Sequence, residues 1–492
     1  MADTRTFNSV PAFFMRYLMK KKVIIAGVIT NLLILASCIL VLINQPVDNL
    51  DELWNYNFSR CMYKGMLPYK DFSMITMPLS PLLMALAMYI FGDGLIVYRI
   101  SGIILNVIIS IVVYIVFNRL LKDRYIIAAC FTVMIMMLLL PEFRYDYNYL
   151  NMLLILIVIL MNINKSDTYR HAALIGLVSG LTLCVKQTTG ICVITANIIT
   201  SYILNRKCNY DIKKTIVRCV MSVVPAIFLA GYIVVTGITG DFISYCAKGV
   251  ATFNNTISYA QFMLSSPFNM AVGVIFPFII MWLIYISIKN KESYIWMYII
   301  YAFAGCVVMY PITDNYHFYI GAVPVFIIFL GTLDFKKSGK IENIICAAIA
   351  FVILMTSTVM LYPKGNYIKS QLPVYKGLNI SGKLEQKIIN VDSYIMLSQE
   401  NGKEAYLVDS AAAAYTIPLN RYTKDMDMLL IGNTGGKDIM NFDIDYDNVR
   451  FMLNPHVEQL NWQFDKKWYE LITTQYKKIG EECGFDIYEK KD

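Results

Sequence analysis

About eleven charge-free apolar runs divide the first 362 residues, and they limit the fold more than any other feature. They fall at 23–43, 100–117, 125–140, 149–163, 172–185, 188–204, 219–239, 267–288, 293–312, 318–333 and 343–362. Hydrocarbon offers a backbone no hydrogen-bond partners, so a single apolar segment in a bilayer must satisfy itself as a helix. A crossing helix needs about 20 residues, with a range of roughly 17–25. The runs at 149–163 and 172–185 are short for this and are expected to be tilted, broken or re-entrant. The fold class this predicts is an all-α polytopic membrane domain of about eleven transmembrane helices. Composition agrees: 57% of residues are hydrophobic and 16% charged, with mean hydropathy +0.53. Soluble chains carry about 25% charged residues.

Lysine and arginine set the expected orientation. With the N-terminus in the cytoplasm and the runs alternating, 20 Lys and Arg fall inside and seven outside before residue 364. The first run has no cleavage-site pattern before it and reads as a retained anchor. This topology requires MITMPLSPLLMALAMYIF (74–91) not to cross. Its two prolines near the start fit a helix lying in the interface. From Lys364 onward, 16 Lys and Arg face 19 Asp and Glu, and no further run follows. The chain thus divides into 1–363 in the membrane and 364–492 outside. The outer part alternates helices (near 381–401, 410–415, 435–441 and 462–478) with strands (404–408, 428–432, 449–453 and 485–489). That predicts a small parallel α/β domain. Ile431-Gly432-Asn433 ends one such strand, where these folds bind ligands, although an ordinary loop explains it as well.

Eleven cysteines are present, mostly inside apolar runs. Their spacing shows neither a disulfide framework nor a CxxC-type metal site. No GxxxxGK[ST], GxGxxG or HExxH occurs, which removes support for ATP-driven transport and metalloprotease chemistry.

The predicted topology gathers charge at one membrane face. Asp51 and Glu52 follow the first run and Arg99 opens the second. Glu142, Arg144 and Asp146 lie between the third and fourth, Lys186 between the fifth and sixth, and His317 between the ninth and tenth. Charges at this depth are costly unless paired or used. A carboxylate there can take a proton from an attacking hydroxyl, and cations can stabilise a departing phosphate. Each residue also has a plainer reading. Asp51 or Glu52 caps a helix, Lys186 snorkels, Arg144 and Asp146 pair with each other, and His317 is an interfacial hydrogen-bonding residue. Taken together on one face, they favour a site.

The stretch DELWNYNFSRCMYKGMLPYKDF, continued by MPLSPLLMALAMYIFGDGLIVYR, resembles the first outer loop of the GT-C superfamily of polyprenyl-phosphate-sugar glycosyltransferases. The likeness is to the protein O-mannosyltransferase and aminoarabinose transferase branch. It rests on Asp51-Glu52 after the first run and on Gly65-Met66-Leu67-Pro68-Tyr69-Lys70-Asp71. It continues through Met77-Pro78-Leu79-Ser80-Pro81-Leu82, a Phe-Gly and Arg99, and GLVSGLTLCVKQTTG (176–190) resembles a further element. The resemblance implies interfacial helices in the first outer loop, a catalytic base at Asp51, and Arg99 and Lys186 near a carrier phosphate. It also implies a second acid at Asp146, with Glu142 competing for that role because no clean Pro-Asp is present. Glu52 joins the catalytic set, Arg144 and His317 the phosphate set, and Asp71 and Gln187 are further candidates. No Asp-x-Asp follows the first run, so no metal and no cofactor is expected. The expected partners are a polyprenyl-phosphate sugar donor, membrane lipids, and a glycan, teichoic acid, lipid or protein acceptor, with no nucleic acid. The expected function is inverting transfer of the sugar to an extracytoplasmic hydroxyl. Two other classes stay open: a lipid or glycan flippase without chemistry, and a receptor whose business is the outer domain.

Overall fold

The computed structural model describes residues 9–122, 124–164, 168–208, 210–252, 257–289, 295–333, 339–409 and 412–419. Beyond these it describes 429, 440, 442, 444–456, 464 and 466–491. Among the described residues each apolar run lies mainly on a helix, and in two cases, at 125–140 and 293–312, the helix ends in a 3-10 turn. The spans are α1 (Ser9–Leu42), α4 (Leu95–Leu120), α5 (Tyr125–Leu139), α6 (Tyr147–Ile163), α7 (Tyr169–Val185), α8 (Gln187–Cys208), α9 (Ile212–Val235), α13 (Pro267–Lys289), α14 (Ile295–Gly305), α15 (Asn315–Thr332) and α16 (Lys340–Leu361). Among the described residues eight helices are long and apolar enough to cross a membrane. The helices at 147–163, 169–185 and 295–309 are shorter. Large apolar side chains on α9, α13 and α16, such as Phe228, Phe278 and Val352, are exposed. Such a belt is what a lipid-facing surface requires. The chain is a multi-pass membrane protein.

Two helices between α1 and α4 do not cross. α2 (Leu50–Tyr63) starts at Asn49, whose side chain accepts from the Glu52 amide at 3.0 Å. α3 (Leu79–Phe91) is 13 residues long, about 20 Å at 1.5 Å per residue. It buries Met84, Ala85 and Met88 and exposes Leu86, Ile90 and Phe91, so a helix too short to cross leaves one apolar face open. Between them, 65–72 forms a tight turn. Tyr69 adopts a left-handed backbone (φ 72) and donates through its hydroxyl to Thr76 O at 2.8 Å, and Asp71 accepts from the Leu67 amide at 2.7 Å. Three short helices, α10 (Thr239–Ile243), α11 (Gly249–Thr252) and α12 (Tyr259–Leu264), follow α9 at the same end of the bundle.

The glycines of 176–190 act by letting backbones meet. A Cβ at Gly176 would sit 2.2 Å from Arg218 O, one at Gly180 2.4 Å from Ser222 O, and one at Gly190 2.2 Å from Leu183 Cα. Small residues at this spacing let membrane helices approach closely. They seat α7 on α8 and α9 and so position the break between α7 and α8. Arg218, counted as a loop charge from sequence, is instead buried in α9. It donates to Asn197 (2.7 Å), Asn162 (3.1 Å) and Tyr301 (2.7 Å), which ties four helices together.

After α16 the chain crosses the end of the bundle that carries the α1–α2 loop as a short antiparallel pair, β1 (Ile368–Lys369) and β2 (Asn379–Ile380). It continues through α17 (Gly382–Glu400), β3 (Glu404–Val408), α18 (Ala413–Thr416), β4 (Val449–Leu453), α19 (Lys466–Gln475), β5 (Tyr476–Glu482) and β6 (Phe485–Lys490). The strands at 404–408, 449–453 and 485–489 fall where the sequence placed them. The sheet order is β3-β4-β6-β5, and only β3 and β4 run parallel. The expected parallel domain is therefore corrected to a mixed α/β one. Cys483 and Gly484, both at positive φ, turn the chain straight back and force β5 and β6 antiparallel. β5 was read as a helix end because all but its first residue are exposed, which erases the alternation that marks a half-buried strand. Apart from Leu429 and Met440, the expected strand 428–432, helix 435–441 and Ile431-Gly432-Asn433 turn lie outside the described residues.

Candidate active site

The loops after α1, α5, α7, α9 and α14 converge on one cavity at the end of the bundle. Its main chamber, about 430 Å³, is lined by Asp51, Arg144, Lys186, Gln187, Asp314 and His317 among aromatic residues that include Trp54, Tyr147, Tyr310 and Tyr316. A polar neck of about 300 Å³ shares Asp51, Arg144, Asp314 and Tyr316 with the chamber and adds Glu142 and Asn315. Glu142 and Asn315 also line an apolar groove of about 780 Å³ between α5, α13, α15 and α16. Chamber, neck and groove are thus linked by shared lining residues, with the polar neck between two more apolar hollows.

Adjacent residues on a helix point about 100° apart, and the first turn of α2 makes that division decisive. The Asp51 carboxylate is 53% exposed, faces the chamber, and accepts from Arg144 Nη2 at 2.8 Å. Glu52 turns into the protein, where its two oxygens accept from Arg99 Nε (2.8 Å) and Nη2 (2.7 Å). Arg99 also donates to the carbonyls of Gln45 (2.5 Å) and Pro46 (3.1 Å). Both side chains of that pair are buried and neither lines the cavity. The geometry thus takes Arg99 away from the phosphate set and Glu52 away from the catalytic set. The forked guanidinium neutralises the carboxylate and holds the α1–α2 loop.

Arg144, unlike Arg99, lines the cavity. Its nearly buried guanidinium meets Asp51 at 2.8 Å, Asp146 at 3.4 Å and Glu142 at 3.8 Å, and stacks 4.2 Å over the Tyr316 ring. Asp146 is wholly buried and does not line the cavity. It caps α6, accepting from the Asn148 (2.7 Å) and Tyr149 (3.1 Å) amides and from the Tyr316 hydroxyl. Burial pushes its carboxyl above the usual range against the pull of Arg144 and these donors. Asp146, expected as a second acid, is thus placed beneath the cavity wall rather than in it. Glu142 is half-exposed in the neck.

Lys186 occupies the extended residue between α7 and α8. Its Nζ donates to Asn148 Oδ1 at 2.8 Å and lies 5.4 Å from the Tyr147 ring centre. Asn148 in turn donates to the Tyr316 hydroxyl at 2.9 Å, which links Lys186 to Asp146 through neutral groups. Among the described residues Lys186 is the cavity cation with no carboxylate within ion-pair distance. Burial pushes its ammonium down from 10.5 to about 8, against the attraction of Asp146 and Asp314. Gln187 is held by the carbonyls of Ile75 (3.2 Å) and Cys246 (3.4 Å). His317 lines the chamber with Nδ1 2.8 Å from Asp314. Burial raises Asp314, but hydrogen bonding to His317 and its charge outweigh that and leave the carboxyl below the usual range. Asp71 staples its turn and lies outside the cavity, so it leaves the candidate set. Among the described residues no group of three or more His, Cys, Asp or Glu side chains gathers to hold a metal ion.

Sequence reasoning missed Asp314, Asn148 and the aromatic lining. The Asp314–His317 spacing of three is a helix-start pattern and was legible. Asn148 and Tyr316 were not, because only the meeting of α6 and α15 gives them roles.

Solved structures share this fold. The crystal structure of ArnT from Cupriavidus metallidurans bound to undecaprenyl phosphate superposes with a TM-score of 0.59, covering 95% of this chain and 98% of that one at 11% identity. The apo form of the same protein gives 0.55, covering 97% and 98% at 11% identity. The Archaeoglobus fulgidus oligosaccharyltransferase in complex with zinc and sulfate gives 0.50, covering 91% and 69% at 11% identity. Identities this low speak for the fold alone. No curated protein sequence matches the chain. The chain therefore has the fold of these solved structures, and a family model matches part of its length. The family match is to the dolichyl-phosphate-mannose-protein mannosyltransferase model over residues 76–234, from the interfacial segment through α9.

Proposed function

We propose that the protein transfers a sugar from a polyprenyl-phosphate carrier to an acceptor hydroxyl on the extracytoplasmic face, with residues 1–363 as the catalytic unit and 364–492 outside the membrane. The N-terminus is cytoplasmic in this reading, by the lysine and arginine balance of the loops. The observation that carries it is the cavity itself, where an exposed carboxylate and an unpaired lysine share a chamber that opens through a neck onto an apolar groove. The groove suits the isoprenoid chain and the chamber suits the headgroup, and a neighbouring fold is seen with undecaprenyl phosphate.

In this mechanism the acceptor hydroxyl donates its proton to Asp51 as its oxygen attacks the anomeric carbon. The bond from that carbon to the phosphate oxygen breaks, and its electron pair leaves with the lipid phosphate. Lys186, and the part of Arg144 that faces the chamber, stabilise the developing charge. Attack opposite the leaving group inverts the anomeric centre. The His317–Asp314 pair borders the phosphate, and the aromatic walls offer faces for the sugar. No cofactor takes part in this reading, and its acceptors are the glycans, teichoic acids, lipids or proteins of the envelope.

The test is consumption of a radiolabelled polyprenyl-phosphate sugar by membranes carrying the wild type or Asp51→Asn. The variant folds and localises normally, and its turnover drops by roughly 10²–10⁴-fold, the typical worth of a positioned base. Wild-type turnover in Asp51→Asn overturns the mechanism. Carrier movement across the bilayer without donor consumption points instead to a flippase.

A further inference from the structure

The segment that crosses the end of the bundle touches the α1–α2 loop without entering the cavity. The Asn379 side-chain amide donates to Asn44 O at 2.7 Å, and the Asn379 carbonyl accepts from the Val47 amide at 2.9 Å. Gln45 O and Pro46 O, which lie between those two contacts, accept from Arg99. The four residues that lead toward α2 are thus held from inside by Arg99 and from outside by Asn379. The same segment also reaches α4, where Val374 O accepts from the Leu95 amide at 2.9 Å. Tyr375, Leu378 and Ile380 are buried in one apolar core with Val47, Leu53 and Leu95. This part of the tail is continuous with the membrane bundle rather than tethered to it.

We infer that the β1–β2 segment is a clamp that positions Asp51, with Asn379 as its positioning residue. The inference rests on the reading of Asp51 as the base. Asp51 lies four residues after Val47, in the first turn of α2, and is largely exposed to the chamber. An exposed carboxylate with Arg144 as its recorded partner takes its place from where its helix begins. A base displaced by about 1 Å loses on the order of 10²-fold in rate. The tail therefore acts on turnover through backbone placement, and the carrier phosphate at Lys186 is untouched by it.

The experiment compares full-length wild type, Asn379→Ala and Asn379→Asp in lipid nanodiscs, with the exposed Lys376→Ala as control. Hydrogen–deuterium exchange is read over 44–56. Loss of one hydrogen bond, about 1 kcal/mol, speeds exchange there about fivefold in both Asn379 variants. Peptides covering 404–408 and 449–453, and Lys376→Ala throughout, keep wild-type rates. Turnover of the lipid-linked sugar falls about tenfold at an unchanged KM, and undecaprenyl phosphate binds as in wild type. Wild-type exchange over 44–56 in both variants overturns the clamp. A loosened loop with undiminished kcat overturns its role in positioning. Exchange is read without substrate, so full activity of Asp51→Asn removes the base assignment and leaves the clamp to be judged by its own measurement.

Discussion

Lys186→Gln tests the seat of the phosphate most directly. The ammonium holds one protein partner, Asn148, and has no carboxylate within ion-pair distance among the described residues. Its other donors are available to a ligand. A charge-assisted hydrogen bond contributes about 1.5–3 kcal/mol, and at about 2 kcal/mol undecaprenyl phosphate binds roughly thirtyfold more weakly to the variant. The assay is thermal unfolding in detergent with and without that lipid. A ligand at 100 times its Kd stabilises by about 2.7 kcal/mol, and at a Kd thirtyfold weaker the same concentration gives only about 0.9 kcal/mol. The ligand-free variant is as stable as wild type or more so, because burial disfavours the lysine charge and the change removes it. Full stabilisation of Lys186→Gln by undecaprenyl phosphate refutes the placement of the phosphate at this residue.

Lys186 carries its charge below about pH 8 and loses it above, so affinity for undecaprenyl phosphate falls as pH rises through that range. The fall is at most about tenfold per pH unit, and it is missing from a binding titration of Lys186→Gln. Arg99→Met strands the buried Glu52 and costs about 3–5 kcal/mol; Tm drops, and adding Glu52→Leu recovers much of it. An Arg99→Met protein with wild-type Tm but no lipid binding would return Arg99 to the phosphate site. Ile353→Trp narrows the apolar groove, so affinity for undecaprenyl phosphate falls while that for a ten-carbon prenyl phosphate holds; equal losses for both overturn the groove as the tail site.

Much of the molecule was legible before folding, for reasons that can be named. Length and apolarity mark a bilayer helix because nothing else satisfies a backbone in hydrocarbon. Among the described residues each of the eleven runs accordingly lies mainly on a helix. The balance of lysine and arginine keeps 74–91 out of the count of spans, and α3 is a helix of 13 residues, short of the length a crossing needs. EAYLV, VRFML and FDIYE read as strands because each carries apolar residues for a buried face, whereas β5 has almost none.

What the sequence by itself determined is the set of charges brought to one end of the bundle, since each sits at the end of a helix whose direction alternation dictates. It placed Asp51, Lys186, Arg144 and His317 within reach of one another. Only the tertiary structure decided which of them face the cavity. A carboxylate and its neighbour diverge by about 100° around a helix, so Asp51 meets the chamber while Glu52 meets Arg99. An arginine serves a ligand or a buried acid according to what packs beside it, and no spacing along the chain records that. The hold of Asn379 on Asn44 and Val47 joins residues more than 330 positions apart, so it exists only once the chain has closed over its own first loop.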